Sequence, residues 1–285
     1  MDGMEKRVIG NLRVSAIGLG AMPMSVAGHM PDEAQSIRTV HAALDAGITL
    51  IDTADAYTPS SGEVGHNERL VAKALALWSG DRDAVLVATK GGHTRTPGDG
   101  WGVDGRPAYI RRACEDSLKA LGVEAIGLYQ HHRPDPAVPY EESIGALRDL
   151  LDEGKILLAG ISNANPEQIR TAQEILGGRL ASVQNEYSPR FRSSEPEIDV
   201  CAGLGVAFLP WSPLGGMSAA GGLAGPFAQV AAARGVSPQR VCLAWELARS
   251  PVVIPIPGAS RPETILDSAA AAELVLTDEE LSVLG

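Results

Sequence analysis

A chain of 285 residues is the size of one large α/β barrel or of two ordinary domains. Its 45% hydrophobic and 21% charged residues exclude wholesale disorder, and a formal net charge of −11 argues against a nucleic-acid surface. No apolar run approaches the roughly 20 residues that cross a bilayer. The N-terminal MDGMEKRVIG has no apolar signal core, and Cys114, Cys201 and Cys242 lie far apart without a C-x-x-C pair. These features predict a cytoplasmic protein with reduced, mostly buried thiols.

The opening RVIGNLRVSAIGLGAM predicts two short strands turning at Gly10-Asn11. Gly18-Leu19-Gly20 lacks the third glycine of a dinucleotide fingerprint and no helix opens from it, which weighs against a Rossmann unit. Helical spacing follows from Asp32 to Ala46, started by Pro31-Asp32 and stopped by Gly47. A buried strand is expected at 47–52, then a helix at 67–78, a strand at 84–89 and a helix from Pro107 to about Leu121. Next come strand 126–129, helix 140–153, strand 156–161, a helix opened by Pro166, a short strand at Val183, helix 195–204 and strand 205–209. The last units are helices near 226–234 and 237–249, strand 252–256, helix 262–272 and helix 277–284. An eighth strand falls around 17–22 or 49.

Strands and helices alternating at about 30-residue spacing argue for a parallel sheet. About 250 residues of such units match a closed (β/α)8 TIM barrel, which is preferred to a doubly wound open sheet. The expected architecture is therefore a single α/β domain over 1–285, with an N-terminal β-hairpin and two long rim loops, 91–106 and 213–225.

In such barrels chemistry collects at the C-terminal strand ends and in the loops after them. Strand 47–52 ends in Asp52, and Tyr57 lies five residues on; strand 84–89 is followed by Lys90 and two glycines. Strand 126–129 runs into YQHHRPD, which supplies His131 and His132. Each residue alone is ordinary, but together they put a carboxylate, a phenol, an ammonium and an imidazole on one rim. Asp55, in the same stretch as Asp52 and Tyr57, reads as a loop or capping residue, and His131 as a packed neighbour.

Seven motifs run along the chain: IDTADAY (51–57), VATKGG (87–92), LYQHHRPD (128–135), GKILLAGISN (154–163), VQNEYSP (183–189), PWSPLGG (210–216) and IPGASRPE (256–263). On these motifs, in this order, the chain resembles the aldo-keto reductase superfamily. The resemblance implies an oxidoreductase that transfers a hydride from NADPH to an aldehyde or ketone and gives an alcohol. It makes Tyr57 the proton donor, with Asp52, Lys90 and His132 as partners. A phenol with a reference pKa near 10 would be brought toward working range by an adjacent ammonium. Asp52 would hold Lys90 in place, and His132 would donate to the substrate oxygen.

For the cofactor, the resemblance implies that Ser162, Asn163 and Gln184 bond the nicotinamide carboxamide and that Trp211 stacks on the ring. Ser212, Pro213, Leu214 and Gly216 would lie along the pyrophosphate, with Ala21, Met22 and Asp52 beside the ribose and nicotinamide. Gly258, Ala259, Ser260 and Arg261 would meet the adenosine end, where the helix opened by Pro262 offers backbone N–H groups to an anion. The family commonly has lysine, arginine and asparagine where Gly258, Thr264 and Ser268 stand here, so the preference for NADPH over NADH rests on Ser260 and Arg261. Substrate contacts are expected from Met24, Tyr57, Trp101, His132 and Tyr187, with loop 91–106 as a lid. The sequence ends at Gly285, from which an open, permissive pocket is expected. No metal is implied, and the expected partner is a small aldehyde or ketone rather than nucleic acid or membrane. The alternatives are a cofactor-binding regulatory barrel like those that accompany membrane channels, and a cofactor-free barrel lyase or isomerase.

Overall fold

A computed structural model of the chain describes residues 4–26, 28, 30–216 and 223–285. It begins with β1 (Lys6–Ile9) and β2 (Leu12–Ser15), paired antiparallel about Gly10 at φ 59°. That left-handed conformation suits glycine at a tight hairpin. Then follow β3 (Leu19–Gly20), α1 (Glu33–Asp45), β4 (Leu50–Asp52), α2 (His66–Leu77) and β5 (Leu86–Gly91). A small ribbon of β6 (His93–Arg95) and β7 (Trp101–Val103) precedes α3 (Pro107–Leu121). The chain continues through β8 (Ile126–His131), α4 (Tyr140–Asp152), β9 (Ile156–Ser162), α5 (Pro166–Ile175), β10 (Leu180–Gln184), α6 (Glu195–Leu204) and β11 (Ala207–Phe208). It closes with α7 (Pro226–Arg234), α8 (Pro238–Arg249), α9 (Pro262–Ala269) and α10 (Asp278–Leu284). Prolines open α3, α5, α7, α8 and α9 because an N-terminal turn needs no N–H there.

Seven strands form one parallel sheet in the order β11-β10-β9-β8-β5-β4-β3. The strand expected at 252–256 is not a regular strand, yet this stretch joins the two sheet edges. Val253 bridges Phe208 on one side, and Gly258 bridges Gly20 on the other. Ile254 and Ile256 donate their N–H groups toward β11, to Phe208 and Pro210, while the carbonyls of Pro255 and Pro257 accept from Gly18 and Gly20. Prolines 255 and 257 have no N–H to give on the β3 side, so the ladder there is half made. The result is an eighth stave, and the sheet closes as an α/β barrel.

Inside the barrel, inward positions change character along the strands. Leu50, Leu86, Leu128, Leu209, Ile254 and Ile256 fill the lower layers, and Ile9 and Val14 of the hairpin cover them from below. Further along the strands the inward positions become polar: Asp52, Lys90, Gln130, Ser162 and Gln184. Residues of opposite parity, such as Ile51, Tyr129, Ile161 and Phe208, pack against the helices.

Several expectations shift. β4 starts at Leu50 rather than 47, while β5 and β8 run on far enough to include Lys90 and His131. Helix 262–272 ends at Ala269 and continues as a 3-10 turn, Ala270–Glu273. The rim loop 91–106 is the β6–β7 ribbon rather than irregular chain. Of the second rim loop, 213–225, residues 217–222 lie outside the described residues. No helix among the described residues is long and apolar enough to cross a membrane.

One buried acid stands apart from the barrel mouth. Glu246 on α8 is fully buried, and neither carboxyl oxygen has a partner among the described residues. Burial pushes its pKa well above the usual carboxylate range. A raised folded-state pKa contributes stability that is complete below the unfolded pKa and lost as pH rises toward the folded value. Glu246→Leu is therefore expected to stabilise the protein by about 1–3 kcal/mol at pH 8. That is a rise in Tm of a few degrees, shrinking as pH falls toward 4. Thermal unfolding at both pH values checks this; a lower Tm at pH 8 would contradict it.

Candidate active site

Asp52 closes β4, and its register partner on β5 is Ala88, so Lys90 sits one inward step above it. The Lys90 side chain is fully buried, 0% exposed. Its Nζ donates to Asp52 Oδ1 at 2.6 Å, to the Thr53 carbonyl at 2.9 Å and to Tyr57 Oη at 3.1 Å. Burial works against the ammonium, but the charges and hydrogen bonds of Asp52 and Tyr57 outweigh it and raise the Lys90 pKa. Asp52 is 3% exposed, and its second oxygen accepts from Gln184 Nε2 at 2.8 Å and Gln130 Nε2 at 3.4 Å. Gln130 was not singled out in the sequence, although its parity with His132, one residue past the end of β8, was a usable signal.

Tyr57 lies over Lys90, with Nζ 4.8 Å from the ring centre. The sequence reading expected the ammonium to lower the phenol's pKa. The net shift is upward, because burial favours the neutral phenol more strongly than Lys90 favours phenolate, and Asp52 adds to the rise. His132 meets the Tyr57 ring edge-on, centroids 5.7 Å apart. Burial, and then the positive charge of Lys90, hold its pKa well below the usual value, so the imidazole is neutral. The structure thus brings together all four residues read from the strand ends.

The neighbouring acid and imidazole behave differently. Asp55 lies in the turn after β4, as expected of a loop residue, but it is buried, Oδ1 has no partner among the described residues, and burial together with Glu68 raises its pKa strongly. Glu68 is buried too and accepts from Thr89 Oγ1 at 2.6 Å. His131 faces outward, 6.0 Å from the Tyr140 ring, with a pKa lowered by burial to about 4. It is a packed neighbour, as expected.

Tyr57 and His132 open onto a cavity of about 370 Å³. Ser162, Asn163, Gln184, Trp211, Ser212, Pro213, Leu214, Gly216, Gly258 and Met22 line it, as do Asp52 and Trp101. Ser162 Oγ donates to the Gln184 carbonyl at 2.7 Å, and Asn163 Nδ2 donates to the His132 carbonyl and to Ser162 Oγ, both at 3.0 Å. Asn163 and Ser212 hold φ of 58° and 51°, strained values for side chains other than glycine, which persist where the surroundings over-determine them. Gly20 and Gly258 meet where the barrel closes. A Cβ on Gly20 would lie 2.8 Å from the Ile256 carbonyl oxygen, and one on Gly258 would lie 2.9 Å from Pro23 Cγ.

Other expected contacts do not reach the cavity wall. Tyr187 has parity opposite to Gln184 and is sent outward, where its ring stacks on Trp245 at 5.6 Å and its hydroxyl donates to Glu195 Oε1 at 3.3 Å. Met24 is buried behind Met22 and Pro23, and Ala21 is buried with its carbonyl accepting from Asn67 Nδ2. Ala259, Ser260 and Arg261 continue past the cavity: Ala259 is buried, the Ser260 carbonyl accepts from Gln35 Nε2 at 2.8 Å, and Arg261 is exposed at the start of α9. Conversely, His93 and Arg133 line the cavity and were not singled out. Trp101, 44% exposed, stacks on His93 at 4.6 Å, and His93 in turn meets His132 edge-on at 4.9 Å. Among the described residues no cluster of His, Cys, Asp and Glu could hold a metal ion.

Comparison with known proteins supports the same grouping over nearly the whole chain. The model of the aldo/keto reductase family matches residues 16–284. A Schizosaccharomyces pombe protein, described as an uncharacterized oxidoreductase, is 33% identical over 282 residues, covering 97% of this chain and 87% of that one. The structure of a glycerol dehydrogenase from Gluconobacter oxydans matches with a TM-score of 0.84 at 30% identity, covering 100% of this chain and 94% of that one. An aldo/keto reductase from Klebsiella pneumoniae, solved with NADP and acetate, matches with a TM-score of 0.81 at 29% identity, covering 99% and 94%.

Proposed function

Because the chain belongs to the aldo/keto reductase family, we propose that it reduces an aldehyde or ketone to an alcohol with NADPH, with Tyr57 as the proton donor. The observation that carries this reading is the Lys90 ammonium, fully buried and bonded at once to Asp52 and to Tyr57, both of which line the cavity. The regulatory alternative finds no support among the relatives, which are named as an oxidoreductase, a dehydrogenase and a reductase.

The cavity fits a nicotinamide dinucleotide. The flat ring of Trp211 forms one wall, with Nε1 unpartnered, and the polar groups of Ser162, Asn163 and Gln184 face it. Ser212, Pro213, Leu214 and Gly216 would carry the pyrophosphate, and the backbone at Gly258 would pass it toward Ser260 and Arg261. When bound, NADPH supplies the hydride that reaches the carbonyl carbon. Tyr57 holds its proton at neutral pH and gives it to the carbonyl oxygen as charge develops there. Lys90 stabilises the phenolate that results, and Asp52 fixes Lys90. Neutral His132 orients the carbonyl as a hydrogen-bond donor.

NADPH oxidation with 4-nitrobenzaldehyde, run in parallel with NADH, tests the reading. Turnover with preference for NADPH is expected. Arg261→Ala is expected to lower the NADPH/NADH ratio of kcat/KM by about fivefold, the scale of one charge-assisted contact at an exposed position. Absence of turnover with both cofactors would overturn the reaction assignment, and an unchanged ratio in the variant would overturn the role of Arg261.

A further inference from the structure

The residue after His132 is an arginine that the reaction leaves unused. Arg133 lines the cavity beside Tyr57, His93, Trp101 and His132. Its Nε is buried and unpartnered, and its guanidinium makes no hydrogen bond or ion pair among the described residues. Arg133 is half-buried, and a guanidinium with an unpartnered buried Nε and its terminal nitrogens open to the cavity can take a carboxylate or phosphate from the ligand side.

The carboxylates of this chain do not fill that role. Asp52 is committed to Lys90 and Gln184. Glu186 is close enough to sense the charge of Arg133, yet no ion pair joins them. The two imidazoles nearby add no charge at neutral pH: burial, and then Arg133 itself, bring His93 down to about 4, and His132 is lower than usual as well. Arg95 stacks over Trp101, 4.3 Å from the ring centre, with its own Nε buried and unpartnered. In a chain with 35 acidic and 24 basic residues, this end of the cavity is therefore locally cationic.

We propose that the carbonyl substrate carries a carboxylate and that Arg133 is the residue that binds it. The proposal rests on the carbonyl-reducing reading for the identity of the reacting group, but the anion site stands on Arg133 alone. A guanidinium presents two parallel N–H donors to a carboxylate, so recognition is directional as well as electrostatic. Trp101 on the wall beside Arg133 favours a flat, unsaturated body between the carbonyl and the acid.

The test compares 4-carboxybenzaldehyde with methyl 4-formylbenzoate, which has a similar body without the charge. In the wild type, kcat/KM is expected to favour the acid by about tenfold or more, expressed in KM. Arg133→Gln is expected to lower that ratio by about tenfold, and Arg133→Lys, which keeps the charge but loses the fork, by less. A wild-type ratio at or below one, or a ratio that neither variant changes, overturns the proposal. Calorimetric binding of 4-(hydroxymethyl)benzoate and 4-(hydroxymethyl)benzamide to the cofactor-loaded protein supplies a readout without turnover. Tighter binding of the acid, lost in Arg133→Gln, upholds the anion site even if neither aldehyde is reduced, in which case the reductase reading alone fails. Equal affinities for acid and amide overturn the site whatever the turnover.

Discussion

Tyr57→Phe is expected to lower kcat by about 10²–10⁴-fold, the usual contribution of a positioned proton donor, with cofactor affinity nearly unchanged. The substitution removes one oxygen and little else. The ring that lies 4.8 Å from Lys90 and meets His132 edge-on is retained. Lys90 loses its 3.1 Å bond to the hydroxyl but keeps Asp52 and the Thr53 carbonyl. Stability should therefore move by no more than about 1 kcal/mol. Steady-state turnover and quenching of protein fluorescence by NADPH, with Trp211 on the cavity wall, separate the two effects. Retained turnover would remove Tyr57 from the chemistry. Because burial holds the phenol's pKa above its ordinary value, reduction by the wild type should show no loss on the Tyr57 titration through neutral pH, only at the alkaline end where the proton leaves.

The parts of the molecule legible from sequence are those with a local physical cause. Prolines 107, 166 and 262 mark helix starts because the missing N–H is harmless there, and these helices begin at those residues. Asp52, Lys90 and His132 were placed together because apolar runs end at or beside them, which in a barrel means one rim. What remained hidden depends on contacts distant in sequence. The stave near 254 carries Pro255 and Pro257, so it reads as a weak strand, and only its two edge partners define it. The β6–β7 ribbon lies in a stretch rich in glycine and threonine, where three-residue strands leave no pattern above turn signals. Tyr187 was misplaced for want of parity: counting from Gln184 sends it to the helix side. Asp55 looked like an ordinary loop acid because nothing local reveals that it is buried within reach of the charge of Glu68. Arg133 stood in plain view in the HRPD step, but only the closed barrel shows that it has no partner.

Lys90→Met is expected to abolish measurable turnover and to destabilise the fold by about 3–5 kcal/mol, the cost of leaving a buried charge without its partner. Asp52 would keep its hydrogen bonds from Gln184 and Gln130, but two neutral amides do not compensate a carboxylate that is 3% exposed. The paired substitution Asp52→Asn with Lys90→Met removes both charges at once. Replacing a buried ion pair by uncharged groups of similar volume is often close to neutral, so the double variant should be more stable than Lys90→Met while remaining inactive. Urea unfolding of the wild type, both single variants and the double variant closes the cycle, and a coupling of about 1–3 kcal/mol is expected for groups in direct contact. Additive losses would mean that the 2.6 Å contact contributes little and that Lys90 acts on Tyr57 alone. A coupled cycle with an inactive, well-folded double variant would instead separate the two roles of the pair. On that outcome the barrel would tolerate its loss and the reaction would not, as expected if the ammonium joins the fixed carboxylate to a proton-donating phenol.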